Sequence, residues 1–286
     1  MNLEYLKKYN KILVIGHNNP DVDTIVSSKI LSEIFNYYGI KSDYAVIEGN
    51  NLKETDLKLI NECMEYNPLI INKNDINNYN YFLVDHNDVY QSVKDESLIV
   101  GCIDHHENIG YKTALISDYC ATAIYIYDLF KDKYLFNEQQ KYQIYMAFLS
   151  DSRFGKSIRC KEKDKLLTES LGFGSNYDKM FEKFFIVTNL KNQNFAFNNN
   201  GFKYYKKYNL SSTYIERLDI DNLKEYKNFV RRKKDNFLGI WVDYKNNKTY
   251  SYLKYNNNFT SFDYDFIGSR AKHIMSDVIK YITTLK

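Results

Sequence analysis

The sequence has little cysteine, a single tryptophan and no long hydrophobic run. Its four cysteines form no CxxC pair and no regular framework, which is typical of reduced thiols in a cytoplasmic protein. A stretch of about 18 apolar residues is missing, and the first residues lack the apolar segment of a signal peptide. We therefore expect neither a membrane span nor secretion. The single tryptophan, without any stacking motif, argues against a nucleic-acid partner.

The composition is that of a folded protein with an uneven charge distribution. Of the 286 residues, 44% are hydrophobic and 26% are charged, which is enough for one large domain or two ordinary ones. From Asn189 onward there are 18 basic and 9 acidic residues, whereas the preceding part has 21 basic and 27 acidic ones. This asymmetry is compatible with chance, with a metal-binding part that faces an anion-binding part, or with a basic nucleic-acid-binding part.

Strand and helix patterns alternate in the first two thirds of the chain. Short apolar runs predict buried strands at 11–16, 43–47, 81–85 and 98–104. Helices are predicted at 21–38, 56–66, 121–130, 138–149 and 161–171. Alternating elements of this kind predict an α/β fold with a mostly parallel sheet that is covered on both faces.

The pattern changes after a turn-rich stretch at 172–177. We predict a first domain at 1–177, a linker at 178–188 and a smaller second domain at 189–286. The second domain has hairpin-like punctuation and two predicted helices, near 220–234 and 272–282. It is therefore expected to be a mixed α+β domain.

Acidic and histidine side chains are concentrated where three predicted strands end. Four of the five histidines lie in these segments. The segments contribute His17, Asp21 and Asp23; Asp85 and His86; and Asp104, His105 and His106. The carboxyl ends of parallel strands meet at one edge of a sheet, so these side chains are expected to converge. Singly, each is compatible with a loop cap or a surface charge; jointly, they favour a two-metal site for Mn²⁺, Co²⁺ or Mg²⁺.

Five motifs then support a family resemblance. They are GHNNPDVDT (16–24), LVDHND (83–88), IDHH (103–106), LSDSRFGKS (149–157) and GSRAKH (268–273). In this order they resemble the motifs of manganese-dependent (family II) inorganic pyrophosphatases, which belong to the DHH phosphoesterase superfamily. Thr24 stands where that family has serine, and Ala271 stands where it has a lysine. The segment between 106 and 123 is also shorter than in the family.

The resemblance implies a DHH catalytic domain followed by a phosphate-binding domain. It implies six metal ligands: His17, Asp21, Asp23, Asp85, His105 and Asp151. His17 and Asp21 would hold one ion. The second ion would be held by Asp23, His105 and Asp151, and Asp85 would bridge the two ions. His106, Arg270 and Lys203 would contact the substrate. The expected ions are two Mn²⁺ (or Co²⁺), with Mg²⁺ as an additional activator or substrate counter-ion.

The resemblance also implies a substrate, with alternatives left open. The expected reaction is hydrolysis of inorganic pyrophosphate by a cytoplasmic enzyme without nucleic-acid or membrane partners, and a homodimer is compatible with it. Ala271 favours a short-chain polyphosphatase as the alternative. A GGH-type motif is missing, which argues against the superfamily members that degrade oligonucleotides. A non-catalytic metal or phosphate sensor is a further alternative. His86 is expected to orient Asp85 rather than to bind metal.

Overall fold

The computed structural model describes residues 3–50, 52–108, 111 and 114–285, except for the side chains of residues 271 and 272. The chain divides into two compact units. The first unit extends to Gly155 and resumes from Arg159 to Phe185. The second unit contains Lys156–Ile158 and the chain from Ile186 onward. The boundary at Phe185 lies within the segment 178–188 that the sequence assigns to a linker.

A parallel sheet of six strands forms the centre of the first unit. Its strands are β1 (Ile12–Ile15), β2 (Ser42–Ile47), β3 (Leu69–Ile71), β4 (Asn80–Val84), β5 (Ile99–Asp104) and β6 (Ala114–Ile116). They are ordered β3-β2-β1-β4-β5-β6, and all neighbouring pairs are parallel. The predicted parallel α/β fold is confirmed. Strands β3 and β6 were not predicted, because each has three residues at a sheet edge and lacks a continuous buried run.

Helices cover one face of this sheet. The helices of the unit are α1 (Val22–Tyr37), α2 (Glu54–Cys63), α3 (Thr122–Phe130), α4 (Glu138–Asp151), α5 (Glu162–Glu169) and α6 (Tyr177–Phe184). Ile12, Val14 and Phe82 of the sheet share one buried core with α1 to α4. The alternate residues, such as Leu13 and Leu83, pack against the strand connections instead. Helix α6 occupies most of the segment that the sequence assigns to a linker.

The second unit is built on a mixed sheet. Its strands are β7 (Lys203–Tyr205), β8 (Leu210–Arg217), β9 (Phe237–Asp243), β10 (Lys248–Tyr255) and β11 (Asn258–Tyr264). They are ordered β11-β10-β9-β8-β7, and only the pair β8–β9 is parallel. Its helices are α7 (Gln193–Asn199), α8 (Leu223–Arg231) and α9 (Met275–Thr284). The predicted mixed α+β architecture is confirmed. Within the described ranges, no helix is long and apolar enough to span a membrane.

Gly16 follows β1 at a point where α1 approaches the backbone closely. A Cβ atom at this position would lie 2.1 Å from Cγ2 and 3.1 Å from Cβ of Thr24. Such an overlap forces the strand end and the helix apart. The glycine is therefore required by the contact with Thr24.

We expect Gly16→Ala to lower the free energy of unfolding by about 1–3 kcal/mol, the usual cost of overpacking. Urea unfolding followed by circular dichroism measures this change. In a Thr24→Ser background the overlapping methyl group is absent, so the same substitution should cost clearly less. An equal cost in both backgrounds would show that the Thr24 methyl is not the obstacle.

Candidate metal centre

The site lies where the strand order of the first sheet reverses. The central strands β1 and β4 are neighbours, and the chain proceeds from β1 to one side and from β4 to the other. Ligands of open parallel sheets bind in the crevice beyond such a point. Here the crevice receives the segments that follow β1, β4 and β5. This is the convergence that the sequence predicts for the Asp and His clusters.

Asp85 is the residue on which the cluster is centred. It follows β4 with a φ of +61°, and its side chain is buried. Its carboxylate accepts a 2.6 Å hydrogen bond from Oγ1 of Thr24 and lies 3.1 Å from Nε2 of His105 and 3.4 Å from Nε2 of His17. Burial alone would raise the pKa of Asp85, but the two imidazoles hold it well below its usual range. The charged carboxylate is thus shared between two neighbouring sets of donors.

The first set consists of His17 and Asp21 together with Asp85. Nδ1 of His17 donates to the carbonyl oxygen of Asn18 over 2.9 Å, which directs Nε2 toward Oδ2 of Asp21, 3.8 Å away. Asp21 is the N-cap of α1, where its Oδ1 accepts from the amide of Thr24. Burial disfavours the charged imidazole, yet the Asp85 and Asp21 carboxylates raise the pKa of His17 to about 10. The set therefore attracts positive charge.

The second set adds His105 and Asp151 on the other side of Asp85. Nδ1 of His105 faces the carbonyl oxygen of Tyr119 at 3.1 Å, and Nε2 lies 3.3 Å from Oδ2 of Asp151, the last residue of α4. Burial raises the pKa of Asp151 to about 7, and the Asp21 and Asp85 carboxylates add to this effect. Carboxylates are thus crowded together here at a substantial electrostatic cost.

Asp23 completes the second set from the first turn of α1. Its carboxylate accepts hydrogen bonds from the amides of Thr122 (2.6 Å) and Ala123 (2.9 Å), the first two residues of α3. The N-cap position of α3 is Ala121, which has no side-chain acceptor, so Asp23 caps this helix from another element. Burial and the neighbouring carboxylates raise the pKa of Asp23 well above its usual range.

The donor atoms are close enough to hold cations. Three groups have ligand atoms that all lie within 4.8 Å of one another: His17, Asp21 and Asp85; Asp23, Asp85, His105 and Asp151; and Asp85, Asp104, His105 and His106. The first two groups coincide with the two sets that the family resemblance implies. Both histidines direct Nε2 inward because Nδ1 is engaged with a carbonyl group, which is the usual arrangement of metal-binding imidazoles. The donor set fits two divalent cations of the kind that prefer oxygen and imidazole ligands.

His106 is the most exposed member of the cluster, with 42% of its side chain accessible. Its Nδ1 donates to Oδ1 of Asp104 over 2.9 Å, and Oδ2 of Asp104 accepts from Nδ2 of Asn87 over 2.6 Å. Burial opposes the charged form of His106, but Asp104 and Asp85 raise its pKa. The orienting roles of Asp104 and Asn87 were missed, although both residues stand inside the motifs already singled out.

His86 differs from expectation. Nδ1 of His86 donates to the carbonyl oxygen of Val84, and Nε2 accepts from the hydroxyl of Ser92. Burial lowers its pKa to about 4, so the imidazole is neutral. It therefore fixes the connection after β4 and does not bond to the carboxylate of Asp85.

The remaining predicted site residues belong to the second unit. The guanidinium of Arg270 donates to the carbonyl oxygen of Gly201 and to Oγ of Ser212, the latter over 3.2 Å. Lys203 begins β7 with an exposed side chain, and its ammonium lies 5.6 Å from the ring centre of Tyr205. Arg270 is thus tied to the segment that carries Lys203, and their phosphate-binding role stays a prediction. The side chain of Ala271, which stands where the family has a lysine, is outside the described part of the structure.

Comparison with known proteins identifies the first unit. Residues 11–150 match the model of the DHH family, N-terminal domain. The manganese-dependent inorganic pyrophosphatase of Bacillus subtilis (strain 168) is 31% identical over 171 residues, which cover 56% of this chain and 54% of that protein. A probable manganese-dependent inorganic pyrophosphatase of Bacillus velezensis is 32% identical over 164 residues, or 54% and 52% of the two chains. The resemblance that the motifs indicate is confirmed.

The extent of these matches is limited, whereas similar solved structures extend further. The chain spans about half the length of the curated relatives it matches. A putative family II inorganic pyrophosphatase of Methanococcus jannaschii covers 92% of this chain and 96% of its own, with a TM-score of 0.67 and 17% identity. An exopolyphosphatase-related protein from Bacteroides fragilis covers 99% and 95%, with a TM-score of 0.53 and 13% identity. At these identities the similarity shows a shared fold.

Proposed function

We propose that this protein is a metal-dependent phosphoanhydride hydrolase that cleaves inorganic pyrophosphate into two phosphates. The observation that carries the proposal is the pair of donor sets that share the carboxylate of Asp85. Two cations held side by side are the arrangement that many phosphatases use. The names of the curated relatives support pyrophosphate as the substrate.

The proposed ions are two Mn²⁺ or Co²⁺, with Mg²⁺ as an additional activator or as the counter-ion of the substrate. His17 and Asp21 would hold one ion, and Asp23, His105 and Asp151 would hold the other, with Asp85 between them. Among the described residues, both sets contain carboxylates and imidazoles without a thiolate, which suits these ions better than structural zinc. When bound, such ions lower the pKa of a water nucleophile and offset charge on phosphoryl oxygens.

The side chains around the donor sets would contribute proton transfer and substrate binding. His106 is held by Asp104, and its raised pKa favours the protonated imidazole, which can donate a proton to the departing phosphate. Arg270 and Lys203 are proposed to bind phosphate oxygens through charge-assisted hydrogen bonds.

Phosphate release from pyrophosphate and from tripolyphosphate tests this proposal, after the protein has been loaded with Mn²⁺ and supplied with Mg²⁺. We expect a higher kcat/KM for pyrophosphate, and loss of activity in the presence of a chelator. A preference for tripolyphosphate would instead support a short-chain polyphosphatase, the alternative that Ala271 favours. No release from either substrate, with both ions bound, would support a metal or phosphate sensor.

A further inference from the structure

Two cysteines lie next to each other beside the candidate metal centre, and the proposed function gives them no role. Cys120 stands directly before the N-cap residue of α3, and Cys160 stands directly before the N-cap residue of α5. Both are free thiols of the first unit. Cys120 is buried, whereas Cys160 is half-buried and therefore more accessible to a small molecule.

A buried carboxylate holds the two cysteine-bearing segments together. Oδ1 of Asp164 accepts a 2.9 Å hydrogen bond from the amide of Cys120. Oδ2 accepts a 2.7 Å hydrogen bond from the amide of Lys161, the residue that follows Cys160. One side chain thus fixes the backbone beside both cysteines, and this brings their sulfur atoms together.

The environment makes the two thiols chemically different. The thiol of Cys120 donates a hydrogen bond to the sulfur of Cys160, which lowers the pKa of Cys160. Burial raises the pKa of Cys120 well above its usual range, and the same hydrogen bond adds to this rise. Because the thiolate is the reactive form of cysteine, Cys160 is the residue that an oxidant meets first. Cys120 is placed to attack the oxidised sulfur afterwards.

The segments around the cysteines also contact the proposed metal ligands. The carbonyl oxygen of Tyr119 lies 3.1 Å from Nδ1 of His105, and the amide of Thr122 donates to Asp23 over 2.6 Å. In the other segment, Nη2 of Arg159 lies 2.9 Å from Nδ1 of His105. A shift of the backbone at either cysteine is therefore transmitted to the metal ligands.

We propose that Cys120 and Cys160 form a redox modification site, at which a peroxide oxidises the pair to a disulfide that weakens metal binding. The thiolate of Cys160 attacks one peroxide oxygen and becomes a sulfenic acid, with hydroxide as the leaving group. The sulfur of Cys120 then attacks this sulfenic sulfur. The sulfenic hydroxyl leaves with the thiol proton as water, and two electrons have passed from the thiols to the peroxide.

Disulfide formation requires the two segments to move. Bonded sulfur atoms lie about 2.05 Å apart, which is closer than hydrogen-bonded thiols. Cys120 is packed in the core and its amide is held by Asp164, so the shift extends to the neighbouring carbonyl of Tyr119 and amide of Thr122. Losing groups that orient metal ligands reduces metal affinity by about 10–100-fold. The inference rests on the candidate metal centre and is independent of the substrate.

Mn²⁺ binding by the full chain before and after oxidation tests the inference. Metal-free protein is treated with about one equivalent of hydrogen peroxide, and the cross-link is identified by mass spectrometry of unreduced peptides. We expect an intramolecular disulfide between Cys120 and Cys160. Isothermal titration calorimetry should show about 10–100-fold weaker Mn²⁺ binding by the oxidised protein, and dithiothreitol should restore the affinity.

Cysteine variants separate the cross-link from other effects of peroxide. Cys160→Ala and Cys160→Ser should form no such disulfide, and peroxide should leave their Mn²⁺ affinity unchanged. Cys63→Ala is the matched control, because burial raises the pKa of Cys63 to about 12 and its thiol donates to the carbonyl oxygen of Ile60. This variant should respond to peroxide like wild type. Circular dichroism confirms that each variant is folded.

Thermodynamic linkage provides a second, independent measurement. If the disulfide weakens Mn²⁺ binding by a given factor, Mn²⁺ that saturates both forms favours the dithiol by the same factor. Equilibration of wild type in glutathione redox buffers, with and without Mn²⁺, measures this change through the oxidised fraction. An oxidised fraction that does not depend on Mn²⁺ contradicts the inference.

The outcomes distinguish this inference from the proposed function. Failure to form the disulfide, or cross-linking that leaves the Mn²⁺ affinity unchanged, overturns the inference. If the reduced protein hydrolyses pyrophosphate in that case, the proposed function stands. If cross-linking weakens Mn²⁺ binding but the reduced protein hydrolyses neither pyrophosphate nor tripolyphosphate, the inference stands and the proposed function falls.

Discussion

Asp85→Asn is expected to reduce the rate of pyrophosphate hydrolysis by far more than about 100-fold. A loss of about 100-fold is the upper range for removing a residue that only orients a metal ligand, whereas Asp85 is proposed to bind both ions. The carboxylate lies near Nε2 of both His17 and His105 and is the one member common to both donor sets. The amide keeps the shape but loses the charge, so both sets are weakened at once.

Asparagine is preferred to alanine for this test because of the backbone. Asp85 has a φ of +61°, a left-handed conformation that asparagine tolerates and alanine disfavours. An alanine variant would therefore mix a folding defect with the loss of a ligand. The Asn variant also retains an acceptor for the hydroxyl of Thr24.

The measurement combines turnover with metal content. Phosphate release is followed under saturating pyrophosphate, and bound manganese per chain is determined after gel filtration. Asp118→Asn is a suitable control, because Asp118 is exposed and pairs only with surface lysines among the contacts that the structure gives. Full activity of Asp85→Asn with two bound ions would refute the bridging role.

Convergence of the site could be predicted because it follows from strand direction. The runs that end at Gly16, Asp85 and Asp104 are short and buried, and parallel strands bring such ends to one edge of the sheet. The identity of the donors is visible in the sequence itself. What each carboxylate bonds to is not visible there.

The residues that support the ligands were not predictable, because their contacts join distant parts of the chain. Asp23 caps α3 from about 100 positions away, and Arg159 meets His105 across 54 positions. No local pattern records such pairs. The three-residue strand β3 and helix α6 were missed for a related reason, since neither has a long apolar period and both depend on packing against their neighbours.

Mn²⁺ binding is expected to release more protons at about pH 6 than at about pH 8, with a difference of about one proton per chain. The pKa of Asp151 is raised to about 7 in the metal-free protein, so its carboxyl group is largely protonated at the lower pH. An ion displaces that proton. His17, whose pKa is raised to about 10, loses a proton at both pH values and does not create the difference.

The same pKa shifts determine how the stability of the metal-free protein changes with pH. A folded-state pKa above the unfolded value means that the folded state binds the proton more tightly, so stability from Asp151 is lost as pH rises from about 4 to about 7. The contribution of His17 is complete below about pH 6.5 and is lost as pH rises through about 10. Stabilisation by Mn²⁺ should therefore increase with pH, which thermal unfolding with and without a chelator measures.

Calorimetric titrations in two buffers of different ionisation enthalpy count the released protons directly. In Asp151→Asn the amide does not titrate, so the difference between the two pH values should disappear while the Mn²⁺ affinity falls. Lys161 and Lys163 lower the pKa of the Asp118 carboxyl group to about 2, so this group is charged at both pH values. The Asp118→Asn variant should therefore keep the wild-type difference in proton release. Equal proton release at both pH values in the wild type would mean that Asp151 is already charged before the ion arrives. The crowding of buried carboxylates would then not be the force that draws the ions into this site.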